Sequence, residues 1–439
     1  MDKPNKKLKK LNPYRLKKWH RLDNSAIIYP AISGDNLTNT YRVSATLKDD
    51  INPEILQLAL ENTLKYFIPF KVRLKAGFFW NYLEDNALPP IIKEENDFPC
   101  RHIDFKRNNL YLFQVSYYKK RINIEIFHAL TDGTGGFKFL KAICYQYILL
   151  AYPEKFSEKE KSRVYGISHA NISEDSYKKY YEPKKMKKVK SKNAFTFKGA
   201  RFPFDANGEI HGYIPIDQMK KVCKEKDCTI TQYLVTCLFW GIYTETLNQI
   251  YPKKSVNIFT PVNLRTFFGS NTILNFFSGI STKIDFKRND LTFEDILNEV
   301  KKQFAEKLTR EYIMEKLAFK VGGGYSFPIR LVPLPIKNFV LKLIYLKGSK
   351  SNTMTLSNIG KIDVLEMFQD YFDEFGFLMS PSKKECMKSS VVSYEDTIVF
   401  TFCSVLENTD LQKAVFRKLA SDGLDVTIKS NGVYNSENM

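Results

Sequence analysis

No apolar run in this chain of 439 residues approaches the ~20 residues needed to cross a bilayer, and its N-terminal stretch, MDKPNKKLKKLNPYRLKKWH, lacks the apolar centre of a secretory signal. A protein of this kind is expected in the cytosol. Cysteine is sparse and scattered. Cys100, Cys144, Cys223, Cys228, Cys237, Cys386 and Cys403 are an odd number, spaced neither for disulfides nor for a metal, and several fall within apolar patterns, which reads as free buried thiols. No metal and no redox cofactor is implied. Histidine is rarer still, five in all, so a histidine inside an apolar pattern stands out.

What the chain has in quantity is apolar surface and positive charge. Apolar residues make up 44% and aromatics 14%, ample for a core, and the length exceeds what one compact core usually holds, so two subdomains are expected. The net charge of +19 is concentrated. Residues 1–20 carry eight Lys/Arg against one Asp, and KKYYEPKKMKKVKSK at 178–192 carries eight Lys against one Glu, so these two segments hold +14 of the +19. Neither shows an aromatic RNA-binding signature or a recognition-helix pattern, so no specific nucleic acid is expected. They suit a solvated tail and linker, or non-specific attraction to an anionic surface.

Hydropathy periods place the elements. A strand pattern at NTYRVSATLK is followed by an amphipathic helix in INPEILQLALENTLKYF, then by strand-like runs at GFFWNYLE, LYLFQVSYY and INIEIFH, and by a helix from about Phe137 to Ala151. Residues 153–195 turn polar and Lys-rich. Beyond them the order restarts: a strand at IHGYIPI, two helical patterns with Thr229 as a cap between them, a strand at SVNIFTPVNL, and one long helix in FEDILNEVKKQFAEKLTREY. Strands at TMTLSNIG and SVVSYEDTIVFTFCSV and a final helix and strand complete it. The expected division is a basic tail 1–20, an N-terminal lobe 21–152, a linker 153–195 and a C-terminal lobe 196–439, an α/β architecture of two similar lobes with a central cleft or tunnel.

The stretch INIEIFHALTDGTGGFKFL carries the one histidine that an apolar strand delivers to its own end. Ile122, Ile124, Ile126 and His128 share one strand face, so the imidazole points the way the apolar face points. An imidazole taken out of water needs partners for its nitrogens, so His128 is either a paired structural residue or a working one. Asp132 and Gly133 complete H-x-x-x-D-G, with Gly135 and Gly136 relaxing the chain before the helix. The spacing lets Asp132 fold back beneath the histidine loop and anchor it.

With RLDNSAIIYP, FHALTDG, CTITQYLVTCLFWGI, TPVNLRTFF and LSNIG in that order, nearly the whole chain resembles the chloramphenicol acetyltransferase-like superfamily that includes the condensation domains, and its alcohol acetyltransferase branch in particular. Many members have two consecutive histidines where this chain has Phe127 and His128. The resemblance implies His128 as general base, Asp132 as its structural partner and Arg265 as the arginine paired with that aspartate. It implies acyl-CoA as co-substrate and an alcohol or other small nucleophile as acceptor. A base titrating near neutrality suits that attack. Two alternatives stay open: an amide-forming condensation-type enzyme using a carrier-bound thioester, and a non-catalytic member that binds an anionic partner.

Donors for a tetrahedral oxyanion are less distinct. Ser357 and Asn358 in TLSNIG, and Asn271 and Asn275 in FGSNTILNFF, are candidates, although Ser and Asn before Gly also form turns. KVGGGYSF lacks P-loop spacing and is expected to be a flexible loop. FPIRLVPLPIKNFVLKLIYLKG spaces Arg330, Lys337, Lys342 and Lys347 among apolar residues. That suits a basic amphipathic element at an anionic membrane surface or along an acyl channel, or else a packed helix from about Lys337 after a proline-bounded loop. The acyl chain, the acceptor and the oligomeric state are not legible.

Overall fold

A computed structural model of the chain describes residues 19–34, 37–166, 173–182, 192–203, 206–247, 254–286, 291–325 and 331–433. Most of the basic tail and most of the Lys-rich run at 178–192 lie outside the described residues.

The first half opens with β1 (Trp19–Arg21), the short helix α1 (Tyr29–Ile32) and β2 (Thr40–Leu47). Helix α2 (Pro53–Tyr66) starts where Asn52 accepts from the N–H groups of Glu54 and Ile55 and where Pro53 has no N–H to satisfy. Its Leu56, Leu60 and Leu64 turn inward against α3 (Gly133–Ala151). Between them run β3 (Val72–Ala76), β4 (Asn81–Asp85), β5 (Ile92–Glu94), β6 (Phe113–Tyr118) and β7 (Arg121–Phe127). The connection holds α4 (Glu158–Gly166) and α5 (Ser176–Lys179), so it is not featureless. Tyr177 is fully buried there, its hydroxyl donating to the carbonyl of Phe277 at 2.6 Å.

The second half runs β8 (Gly208–Pro215), α6 (Ile216–Glu225), α7 (Ile230–Gly241), β9 (Val256–Asn263), α8 (Arg265–Phe268), β10 (Phe277–Ile284), α9 (Phe293–Lys307), α10 (Arg310–Tyr325) and α11 (Leu334–Gly348). It ends with β11 (Met354–Lys361), β12 (Phe372–Met379), β13 (Met387–Tyr394), β14 (Thr397–Ser404), α12 (Asp410–Ser421) and β15 (Thr427–Ser430). Thr229 caps α7 through a reciprocal box with Gln232.

Two main sheets form. One has the order β12-β2-β7-β6-β5, the other β10-β9-β11-β13-β14-β8-β15. β12 therefore leaves its own half and pairs antiparallel with β2, Phe377 opposite Val43. A boundary near residue 195 does not separate the sheets, because the second half lends the first its edge strand. Each sheet has its own core, the first around Ile124, Phe139 and Phe375, the second around Leu238, Ile258 and Phe400.

Four local expectations are corrected. Helix α3 starts at Gly133, four residues before Phe137, because Asp132 caps it and draws Gly135 and Gly136 into the first turn. The single helix over FEDILNEVKKQFAEKLTREY is two: Leu308 leaves the helical region and the Thr309 hydroxyl accepts the N–H of Tyr312, starting α10. The glycines of KVGGGYSF lie within α10, since the helix-forming run REYIMEKLA propagates through them at about 1 kcal/mol each. Finally, α11 begins at Leu334, with Pro335 in its first turn, rather than near Lys337.

Candidate functional site

His128 stands one residue past β7, its N–H donating to the carbonyl of Asn39 at 2.9 Å. The chain turns at once: Leu130 N–H donates to Phe127 O, and the Thr131 hydroxyl reaches across to the carbonyl of Ile273. Asp132 then caps α3. Gly135 is required here. A Cβ on it would lie 1.9 Å from Thr131 Oγ1 and 2.2 Å from Ile273 O, so a side chain would separate the histidine loop from the 270–276 loop.

Asp132 is buried and its carboxylate takes four donors. Oδ1 accepts from Arg265 Nη2 at 3.0 Å and Gly135 N at 3.1 Å; Oδ2 accepts from Arg265 Nη1 at 2.9 Å and Phe276 N at 2.8 Å. Burial alone would raise its pKa, but the Arg265 guanidinium and these N–H groups outweigh it and hold the carboxyl below its usual range. Arg265, the first residue of α8, spends its remaining N–H groups on Thr272 O, Leu274 O and Asn263 Oδ1. All five guanidinium donors are engaged, so Arg265 has none left for a ligand. The structure thus joins Asp132 and Arg265, and the pair faces the 270–276 loop, not the imidazole.

The imidazole's own partner is Asn275. Its Nδ2 donates to Asp23 Oδ2 at 2.9 Å and to His128 O at 3.1 Å, which turns Oδ1 toward His128 Nδ1 at 3.0 Å. An amide oxygen only accepts, so Nδ1 carries the proton and Nε2 presents its lone pair. Among the described residues no hydrogen bond is made at Nε2. Both N–H bonds of Asn275 are spent within the protein, leaving it no donor for a substrate oxygen. Tyr29 stacks on the ring at 4.6 Å between centroids, and Tyr41 and Phe277 pack around it.

That enclosure corrects the expectation of a histidine titrating near neutrality. Burial among aromatic rings disfavours the cation and lowers the pKa to about 4, although Asp132 and Asn275 pull upward and Lys388 adds to the fall. The ring is neutral at pH 7. Asp23 moves the other way: burial raises it to about 7 against the hydrogen bonds from Asn275, Ala26 and Ser25. Asp23 and Tyr29 are site residues that the sequence reading did not single out. Asp23 has the look of a local cap, since its Oδ1 accepts from the N–H groups of Ser25 and Ala26, and nothing local reveals that Oδ2 reaches residue 275.

The remaining candidates separate. Gly133 packs beneath Ile359 and Phe377, which brings the end of β11 to the motif. Ser357 lies in β11, opposite Ser390 of β13, and Asn358 is turned to α7, donating to Thr231 Oγ1 at 3.0 Å. Gly322–Gly324 lie in α10 and form no phosphate cradle. All seven cysteines are free thiols. No group of metal-ligand side chains occurs among the described residues, and no helix among them is long and apolar enough to cross a membrane.

Neither a protein-family model nor a curated protein matches the sequence. Solved structures do match the fold. A trichothecene 15-O-acetyltransferase from Fusarium sporotrichioides superposes with TM-score 0.57 at 10% identity, over 92% of this chain and 94% of that one. A wax ester synthase/diacylglycerol acyltransferase from Marinobacter aquaeolei gives 0.54 at 11% identity, over 92% and 100%. The starter condensation domain of rhizomide synthetase, crystallised as a variant with C8-CoA and Leu-SNAC, gives 0.57 at 11% identity, over 93% and 98%. The chain has the two-lobed chloramphenicol acetyltransferase-like fold that the motif suggested.

Proposed function

We propose that the chain is an acyltransferase that moves an acyl group from acyl-CoA to an alcohol hydroxyl, with His128 as general base. The observation that carries this reading is the state of the ring: Nδ1 is held by Asn275 and Asp23, and Nε2 is an unshared lone pair at the end of β7. In this reaction the hydroxyl oxygen attacks the thioester carbonyl while Nε2 takes its proton. Collapse of the tetrahedral intermediate breaks the C–S bond, and the proton passes from Nε2 to the leaving thiolate. No covalent acyl-enzyme is required, because the thioester is already activated and the two bound substrates supply proximity. Ser357 is the candidate donor to the oxyanion. Asp132 and Arg265 position the histidine loop without entering the proton transfer. The protein would act in the cytosol, peripherally at an anionic membrane.

The test is thiol release from acyl-CoAs of increasing chain length, with alcohol and amine acceptors, for the native protein and His128→Ala. Release that needs an alcohol and is lost in the variant supports the reading. An amine requirement would turn it into amide formation, the reaction of a condensation-type enzyme, and equal rates with and without the imidazole would falsify His128 as base.

A further inference from the structure

Helix α11 has the right periodicity for burial and the wrong orientation. Ile336, Phe339, Val340, Leu343 and Ile344 follow i, i+3, i+4, i+7, i+8, the spacing of one helix face, yet that face meets solvent, with Phe339 at 63% and Ile344 at 60% exposure. The opposite face is occupied. Leu334 is buried, and Lys337 folds inward to donate to Phe79 O at 2.8 Å with its ammonium 3.2 Å from the Trp80 ring centre. The Phe78–Phe79 turn is tied to the helix start, since Leu334 N–H donates to Phe78 O, and Phe78 is itself 73% exposed. Among the described residues fifteen large apolar side chains are exposed, and eight of them come from this turn and from residues 331–344, so the apolar surface is one ridge and not a scatter.

The charge around the ridge identifies its partner. α11 contains no Asp or Glu, and Lys342, Lys347 and Lys350 are exposed along it and just past its end. A second copy docking ridge to ridge would bring these lysines face to face, whereas phosphate headgroups would neutralise them while acyl chains take up Phe339 and Ile344. The inner side of α11 packs on α1, where Tyr345 lies near enough to Tyr29 to bias its ionisation, and Tyr29 stacks on His128. Tyr29 therefore lies between the inner side of α11 and the imidazole.

We propose that the outward face of α11, with the Phe78–Phe79 turn, docks on an anionic lipid bilayer. The docking stands on these observations alone; its consequence, that a lipid-phase acyl chain or alcohol reaches His128 from that side, rests on the acyltransferase reading.

The test is sedimentation of the full chain with phosphatidylcholine vesicles and with vesicles containing phosphatidylglycerol, for the native protein and for Phe339→Glu/Leu343→Glu. Both positions are exposed, so the double variant should keep its melting temperature, and it retains every lysine of residues 1–20 and 178–192. The native chain is expected on the anionic vesicles, and the variant is expected to partition at least about tenfold less. Thiol release from a short-chain acyl-CoA in solution is expected to be equal in the two. A native chain that ignores both vesicles, or a variant that sediments like the native, overturns the proposal, the latter assigning binding to the basic segments. A native dimer made monomeric by the double variant also overturns it, in favour of a second copy. His128→Ala is expected to bind vesicles normally, so a protein that binds them but releases no thiol refutes the acyltransferase reading and leaves the docking intact.

Discussion

Two buried arginines make the same bonds for different ends. Arg42 on β2 faces Glu125 on β7 across the ladder, its Nη2 2.9 Å from Glu125 Oε1, and Nη1 reaches Glu95. Arg265 takes Asp132 in two bonds of 2.9 and 3.0 Å. Both pairs replace water with guanidinium–carboxylate contacts, and both lower a carboxyl pKa against the effect of burial: that of Glu95 through Arg42, then Arg121, and that of Asp132 through Arg265. The first cluster joins neighbouring strands of one sheet, which the ladder already holds. The second joins loops from different sheets, which no shared ladder holds, alongside hydrogen bonds such as Thr131 to Ile273 and Asn275 to His128. An ion pair in a sheet reinforces strands already paired; the same pair between lobes holds the loop that carries His128.

The sharpest test of that contrast is the imidazole. His128→Ala should lower turnover by about 10²–10⁴-fold, the usual contribution of a general base, with little change in melting temperature. Next come the arginines. Arg265→Met and Arg42→Met should each cost about 3–5 kcal/mol in denaturant unfolding, because each strands buried carboxylate charge. Only Arg265→Met should also slow turnover per folded molecule, by roughly a hundredfold through displacement of the base. Equal turnover losses from the two would break the comparison.

Smaller effects should follow the glycines. Gly135→Ala, whose Cβ meets Thr131 Oγ1 and a backbone carbonyl, should cost about 1–3 kcal/mol and slow turnover. Gly133→Ala meets the movable tip of Ile359 at 2.9 Å and the Phe377 ring at an ordinary contact distance of 3.4 Å, and should be nearly neutral on both readouts.

The least effect is expected on pH dependence. Between about 4 and 6.5 the unfolded chain holds a proton on His128 that the folded chain refuses, so this group lowers stability as pH falls through that window. Asp23 is protonated in the folded chain and ionised in the unfolded one between 3.8 and about 7, so it lowers stability as pH rises. The two slopes oppose each other. Asp23→Asn, which removes the titrating carboxyl, should therefore lose more stability than the native protein between pH 6.5 and 4. Turnover in the native protein should persist to about pH 5, since the imidazole is already neutral there.

Local chemistry determined much of this protein by itself. Alternation and helical spacing placed β2, α2, β7, β8, α7, β9 and β14, because strand and helix periods are written in neighbouring residues. Thr229 announced its helix for the same reason. His128 and Asp132 stood out as a pair because Asp132 follows four positions on at a strand end, and the superfamily resemblance added Arg265.

What tertiary structure alone decided involves partners far apart in the chain. The bond from Asn275 to Asp23 spans 252 residues, and the strand β12 crosses to a sheet built mostly from the other half. The drop in the His128 pKa comes from the burial that Tyr29, Tyr41 and Phe277 help to create from three separate segments. Periodicity showed which residues of α11 share a face. It could not show that this face meets water, because that depends on what the rest of the chain packs against the other side.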